Sequence, residues 1–181
     1  MKTLLFDAEA NNLMPLADTI WIICGKIKGS SEVASFRERD PFLQWIEEEK
    51  PDQIVNHGLL SYDLPLIGKL WNVPYKVGKD SHFNRVPTRL IDTLLLSQFL
   101  NPDREGGHSL QNFGDIIGCP KMDYRQHLVD IGVMKSVNNT EDEPKGFEFT
   151  FWHPSMEVYC SQDIETNSSA FDYLLKEVER Y

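Results

Sequence analysis

At 181 residues, with 41% hydrophobic and 11% aromatic content, the chain can bury a full core, and a single α/β domain over 1–181 is the expectation. Eighteen Lys and Arg against 28 Asp and Glu leave a formal net charge of -10, which argues against a protein that grips a long phosphate backbone through a basic face. No apolar run reaches the ~18 residues of a membrane span, no signal peptide is visible, and Cys24, Cys119 and Cys160 form no C-x-x-C pair, so the expectation is a cytoplasmic protein without membrane contact, disulfide framework or structural zinc.

In chain order, Lys2 to Asp7 reads as a strand, Thr19 to Ile27 as an apolar strand and Glu32 to Phe36 as a third, an N-terminal meander with Gly29-Ser30-Ser31 as its last turn. Asp40 and Pro41 start a helix that runs to Glu49, and Pro51 separates it from a short buried strand at Gln53-Ile54-Val55. Helical spacing of Leu64, Ile67 and Leu70 predicts a helix over Tyr62 to Trp71, and Pro74 and Gly78 open a polar loop toward Pro87. Lys69, Lys76, Lys79, Arg85 and Arg89 make this the most basic region, expected to be a solvated loop with phosphate contact as its sharper alternative. Arg89-Leu90-Ile91 reads as the last strand, Asp92 caps a helix over Thr93 to Leu100, and Ser109 caps another over Leu110 to Ile117 before Gly118. Val137 to Gly146 is polar, acidic and aperiodic, an expected exposed loop. Phe147, Phe149, Phe151 and Trp152 follow and are expected to pack rather than to stack bases, and a long helix extends from about Pro154 to Glu179.

The chemistry lies in the acids. Asp7-Ala8-Glu9 ends the first strand, where alternation points both carboxylates to one face, as an oxygen-rich magnesium or manganese site requires. The spacing recurs at Asp103-Arg104-Glu105 and Asp163-Ile164-Glu165, so the strand context and the partners carry the assignment. Asp63 follows Tyr62 at a predicted helix start. Tyr159 and Asp163, four apart, share one face of the last helix, otherwise apolar, where a phenol and a carboxylate need partners. The five histidines show no ligand spacing.

In order, these motifs resemble the Exo I, Exo II and Exo III blocks of the DEDD exonuclease superfamily. The tyrosine four residues before Asp163 matches the DEDDy subgroup; the DEDDh subgroup has histidine five residues before that aspartate, where Val158 stands. Asp7-Ala8-Glu9-Ala10-Asn11, Ile91-Asp92-Thr93-Leu94 and Tyr159-Cys160-Ser161-Gln162-Asp163 are similar to the proofreading exonuclease domain of family A bacteriophage DNA polymerases. The resemblance implies a ribonuclease H-like α/β fold, a mixed five-stranded sheet flanked by helices. It also implies two divalent cations, Mg2+ or Mn2+, held by Asp7, Glu9, Asp63 and Asp163, with Tyr159 orienting the attacking water and nucleoside 5′-monophosphates as products. By the same resemblance Leu13 matches an apolar wedge between the last two bases, and Asn11 and Asn12 contact the terminal nucleotide.

The expected substrate is the 3′ end of single-stranded or frayed DNA. The family often has an asparagine four or five residues before the Exo II aspartate; those positions are Leu59 and Gly58, and Asn56 lies further back. No polymerase region follows Exo III, so the expectation is a separate polymerase subunit if the domain proofreads, with a stand-alone nuclease equally allowed. The alternatives are a DEDDy exoribonuclease acting on RNA 3′ ends or short oligoribonucleotides and, against four convergent carboxylates, a non-catalytic interaction subunit.

Overall fold

The computed structural model describes residues 1–180. Its centre is β1 (Thr3–Ala10), buried along nearly its whole length because both faces of the sheet are covered. An antiparallel partner, β2 (Ile20–Ile27), carries β3 (Ala34–Phe36) on its other edge, while β4 (Gln53–Asn56) runs parallel to β1 and β8 (Arg89–Asp92) parallel to β4. The order β3-β2-β1-β4-β8 is the mixed five-stranded sheet expected from the sequence.

Alternation along β1 sorts its side chains. Leu4, Phe6 and Ala8 join Phe42 and Ile46 of α1 (Arg39–Glu49) and Leu64 and Ile67 of α2 (Leu64–Trp71) in one core. Leu5 points to the other face, against Met156, Cys160 and Ile164 of α6 (Ser155–Val178). Asp7 and Glu9 have the same parity as Leu5, so the pleat delivers both carboxylates to the side covered by α6. The helices α3 (Thr93–Leu100) and α4 (Leu110–Ile117) fall where Asp92 and Ser109 were expected to cap them, and the Asp92 carboxylate and the Ser109 hydroxyl each accept from first-turn amides.

Four expectations are corrected. The first helix begins at Arg39 behind Glu38 without a side-chain cap, so Asp40 is a first-turn acid rather than the cap. The helix expected from Tyr62 is preceded by a π-helical turn, Leu59–Asp63, and becomes α-helical at Leu64. The polar stretch from Pro74 to Pro87 is a small antiparallel sheet, β5 (Tyr75–Lys76), β6 (His82–Phe83) and β7 (Val86–Pro87), anchored by fully buried Phe83 against Phe6 and Phe42. It leads into the start of β8, where Arg89 pairs with Gln53, whereas Asp7 and Glu9 stand at the far end of the parallel strands. A helix absent from the sequence reading, α5 (Tyr124–Asp130), buries Tyr124 and Leu128, while Val137 to Gly146 is the expected exposed loop, with Glu143 alone buried in it. Among the described residues no helix is long and apolar enough to cross a membrane.

Candidate metal centre

Asp7 and Glu9 reach the end of β1 just before a register shift between Glu9 and Ala10; Glu9 is buried and Asp7 half-buried. Asp63 comes from the π-helical turn, which Gly58 enters at φ 80°, a conformation glycine adopts without strain. Asp92 holds the base of this turn. Its carboxylate accepts from the amides of Gly58 and Leu60 as well as from Leu94 and Leu95 in α3, so one buried acid both caps a helix and fixes the turn that presents Asp63.

Asn56, the last residue of β4, bridges two of the acids. Its amide donates to Asp63 Oδ2 at 2.7 Å and, more weakly, to Asp7 Oδ1 at 3.4 Å. Its own oxygen accepts from Asn167 of α6, which in turn accepts from the Thr93 hydroxyl. The asparagine that spacing seemed to misplace is therefore beside Asp63, because the wide turn between them takes up the additional residues.

From the opposite side α6 contributes Tyr159, Cys160 and Asp163. Asp163 is buried and paired with Lys121 at 2.5 Å, and the same ammonium donates to the Tyr159 hydroxyl at 3.2 Å. Lys121 has no counterpart in the sequence reading. It lies between the cap of α4 and the start of α5, in a segment without periodicity or motif, and only the tertiary fold brings it to Asp163. The Tyr159 ring stacks on Tyr124 at 5.0 Å and packs against Phe149 at 6.0 Å, with Lys121 over its face at 5.2 Å, so its orientation is set from three sides.

The electrostatics are those of a cation site. Burial, then repulsion from Asp7 and Asp163, pushes the Glu9 carboxyl well above the usual range, and burial together with Asp7 does the same to Asp63. Asp163 is raised to about 7 by burial and Asp7, with Lys121 opposing. Burial pulls the Lys121 ammonium down, but Asp163 and the other acids outweigh it and leave it raised. Tyr159 stays a neutral phenol, held there first by burial and then by Glu9 and Asp163. Asp63 Oδ1 and Asp163 Oδ1 are buried without a hydrogen-bond partner. Orphaned carboxylate oxygens among acids driven toward protonation fit divalent cations, and the all-oxygen set Asp7, Glu9, Asp63 and Asp163 suits Mg2+ or Mn2+. The Cys160 thiol lies within 4.8 Å of donor atoms of Asp7 and Glu9, but burial holds it protonated and it donates to the Asp7 carbonyl at 3.4 Å.

Beyond Glu9 the chain turns through Asn11, Asn12 and Leu13. Asn11 closes this loop on itself, donating to Asp18 and accepting from the amides of Asp18 and Thr19, while the Asn12 carbonyl accepts from the Tyr62 hydroxyl. Leu13 is 73% exposed and does not fold onto the core. These residues form one side of a cavity of about 680 Å3 whose floor includes Glu9 and Tyr159 and whose other side is the segment Pro144 to Thr150.

The sequence matches no protein-family model and no curated protein. Solved structures share the fold. The family B DNA polymerase of the archaeon Pyrobaculum calidifontis matches at TM-score 0.60 and 16% identity over 97% of this chain and 24% of that one. Brucella melitensis NrnC matches at 0.60 and 14% over 98% of this chain and 74% of that one, and a further NrnC structure with bound Mg2+ at 0.58. Phi29 DNA polymerase complexed with primer-template DNA and incoming nucleotides matches at 0.53 and 13% over 98% of this chain and 31% of that one. The chain thus spans about a quarter of the archaeal polymerase and about three quarters of NrnC. The fold these structures share with the chain is a mixed five-stranded sheet flanked by helices.

Proposed function

We propose that 1–181 is an exonuclease domain that hydrolyses single-stranded or frayed 3′ ends in the 3′-to-5′ direction and releases nucleoside 5′-monophosphates. The observation that carries this reading is the convergence of Asp7 and Glu9 from β1, Asp63 from the π-helical turn and Asp163 from α6 around buried, unpartnered carboxylate oxygens, with Tyr159 alongside. Two divalent ions held by these four acids would supply an activated water and stabilise the leaving 3′ oxygen. The neutral Tyr159 hydroxyl, which accepts from Lys121 and is hydrogen-bonded to Asp163, would orient that water beside the acid. Asn56 holds the Asp63 carboxylate in place, and Lys121 places a positive charge where the scissile phosphate of a strand approaches Asp163.

DNA is the preferred substrate in this reading, and a separate polymerase subunit is the partner that would make the domain a proofreader, in contrast to the family A bacteriophage enzymes that its motifs resemble, where the exonuclease is a domain of the polymerase. Support for nucleic acid comes from neighbours of the same fold, phi29 polymerase complexed with primer-template DNA and NrnC bound to pGG. The test is digestion of 5′-labelled single-stranded DNA, duplex DNA with a 3′ mismatch, and RNA, each with Mg2+, Mn2+ or a chelator. Metal-dependent shortening from the 3′ end, fastest on single-stranded DNA, is expected. Equal degradation by wild type and Asp163→Ala would sink the assigned site, and much faster cutting of RNA would make the protein an exoribonuclease.

A further inference from the structure

Cys160 puts a sulfur donor among the acids. It lies on α6 between Tyr159 and Asp163, is fully buried, and faces the end of β1, where its thiol donates to the Asp7 carbonyl at 3.4 Å. Its Sγ is also 3.8 Å from Asp7 Oδ2, and ligand atoms of Asp7, Glu9 and Cys160 all fall within 4.8 Å of one another. A tetrahedral zinc ion, with sulfur at ~2.3 Å and oxygen at ~2.1 Å, holds two such donors about 3.6 Å apart. Cys160 and Asp7 are thus spaced almost as two ligands of one ion. Packing is the ordinary role of a buried cysteine, and Cys24 and Cys119 belong to no such group among the described residues.

Two further groups fit a cation at this point. Asp163, three residues on along the same helix and 4% exposed, has an Oδ1 without a hydrogen-bond partner, a fourth donor of the kind a tetrahedral site takes. Lys121, paired with Asp163 at 2.5 Å, adds positive charge where several anionic ligands meet one divalent ion. Magnesium has no use for the sulfur. It takes octahedral oxygen ligands and keeps much of its water, whereas a thiolate selects softer ions such as Zn2+ and Cd2+.

We propose that Asp7, Glu9 and Cys160 form a mixed carboxylate and thiolate site for a thiophilic divalent cation, Zn2+ or Cd2+, which competes with Mg2+ for the two acids. This rests on the metal-centre reading above and adds a second metal chemistry to it. Mg2+ draws on the all-oxygen set with Asp63 and Asp163, while the softer ion draws Asp7 and Glu9 toward the sulfur; the two acids cannot serve both, so zinc inhibits. On binding, the thiol proton passes to solvent and Cys160 gives up its bond to the Asp7 carbonyl.

The test titrates the full chain with Cd2+, reading thiolate-to-cadmium charge-transfer absorption in the ultraviolet and affinity by calorimetry. One Cd2+ per chain should develop the band, and added Mg2+ should lower the apparent Cd2+ affinity in proportion to its concentration. Cys160→Ser should abolish the band and weaken Cd2+ binding by at least the ~10- to 100-fold that loss of a ligand's supporting hydrogen bond costs. Cys24→Ser and Cys119→Ser should keep both. Mg2+ binding by Cys160→Ser, read in the same calorimeter, shows that the variant is folded. The Zn2+ concentration that halves Mg2+-dependent digestion of a 5′-labelled single strand should rise with Cys160→Ser by the factor seen for Cd2+. No band in the wild type while Mg2+ binds, a band that survives Cys160→Ser, a Cd2+ affinity indifferent to Mg2+, or an unmoved half-inhibiting Zn2+ concentration overturns the thiolate site and leaves the nuclease reading intact. Absence of binding by all three cations overturns both.

Discussion

Lys121 and Tyr159 show how much single side chains settle at this centre. With Lys121→Met, Asp163 Oδ2 loses its only cation and the carboxyl, already at about 7, moves higher. Cation binding needs that carboxylate ionised, so its midpoint should shift to higher pH; near pH 9, where Lys121 no longer competes for the oxygen, the variant should bind more tightly than wild type. Calorimetric titration of Mg2+ or Mn2+ between pH 6 and 9 checks this, and an unmoved midpoint would remove Lys121 from the centre. Tyr159→Phe should slow hydrolysis and cost no more than ~2 kcal/mol in urea unfolding, because its hydroxyl contributes two modest hydrogen bonds, with Lys121 and Asp163, and its ring stays stacked on Tyr124. Loss of the fold would instead make it a core residue. Tyr159 was legible from its spacing to Asp163; Lys121 was not, because its role exists only across 42 residues of chain, from Lys121 to Asp163.

The π-helical turn and the segment before α6 are the elements on which the site depends. Asp92 receives four backbone amides, from Gly58, Leu60, Leu94 and Leu95, so Asp92→Ala removes a helix cap worth ~1 kcal/mol and leaves buried donors unpaired at ~1–3 kcal/mol each. A loss of at least ~2 kcal/mol in urea unfolding is expected, together with weaker cation binding than a comparably destabilising core substitution such as Ile46→Ala produces. Stability loss without any effect on cation binding would show that the turn keeps Asp63 in place unaided. The cap on α3 could be read from Asp92 and its successors, but the second duty of that carboxylate could not, since a π turn has no sequence period to recognise. Local polarity correctly made Val137 to Gly146 an exposed loop but could not show how the segment is anchored, since Arg125, Glu143 and Trp21 hold carbonyls and amides that are not their near neighbours in the chain.

For the whole molecule, three carboxyls held above their ordinary values make the metal-free state sensitive to pH. Each binds its proton more tightly folded than unfolded, so stability is complete below about pH 4 and falls as pH rises through about 7, where Asp163 titrates. A divalent cation at about 100 times its dissociation constant adds about 2.7 kcal/mol, or about 5–10 °C in Tm for a chain of this size. Thermal unfolding at pH 5 to 8, in chelator and in Mg2+, should show a Tm that declines with pH only in chelator; a flat profile in both would argue against the acid cluster as a cation site. By itself the sequence determined the sheet and which polar groups share a face, because strand alternation and i, i+4 helix spacing are local rules that Asp7, Glu9, Tyr159 and Asp163 obey. Only the tertiary structure decided how Asn56 reaches Asp63 and that Lys121 neutralises Asp163. It alone turned an acidic, aperiodic stretch into one side of the cleft, since those outcomes rest on hydrogen bonds and ion pairs between distant segments, which leave no periodicity in the chain.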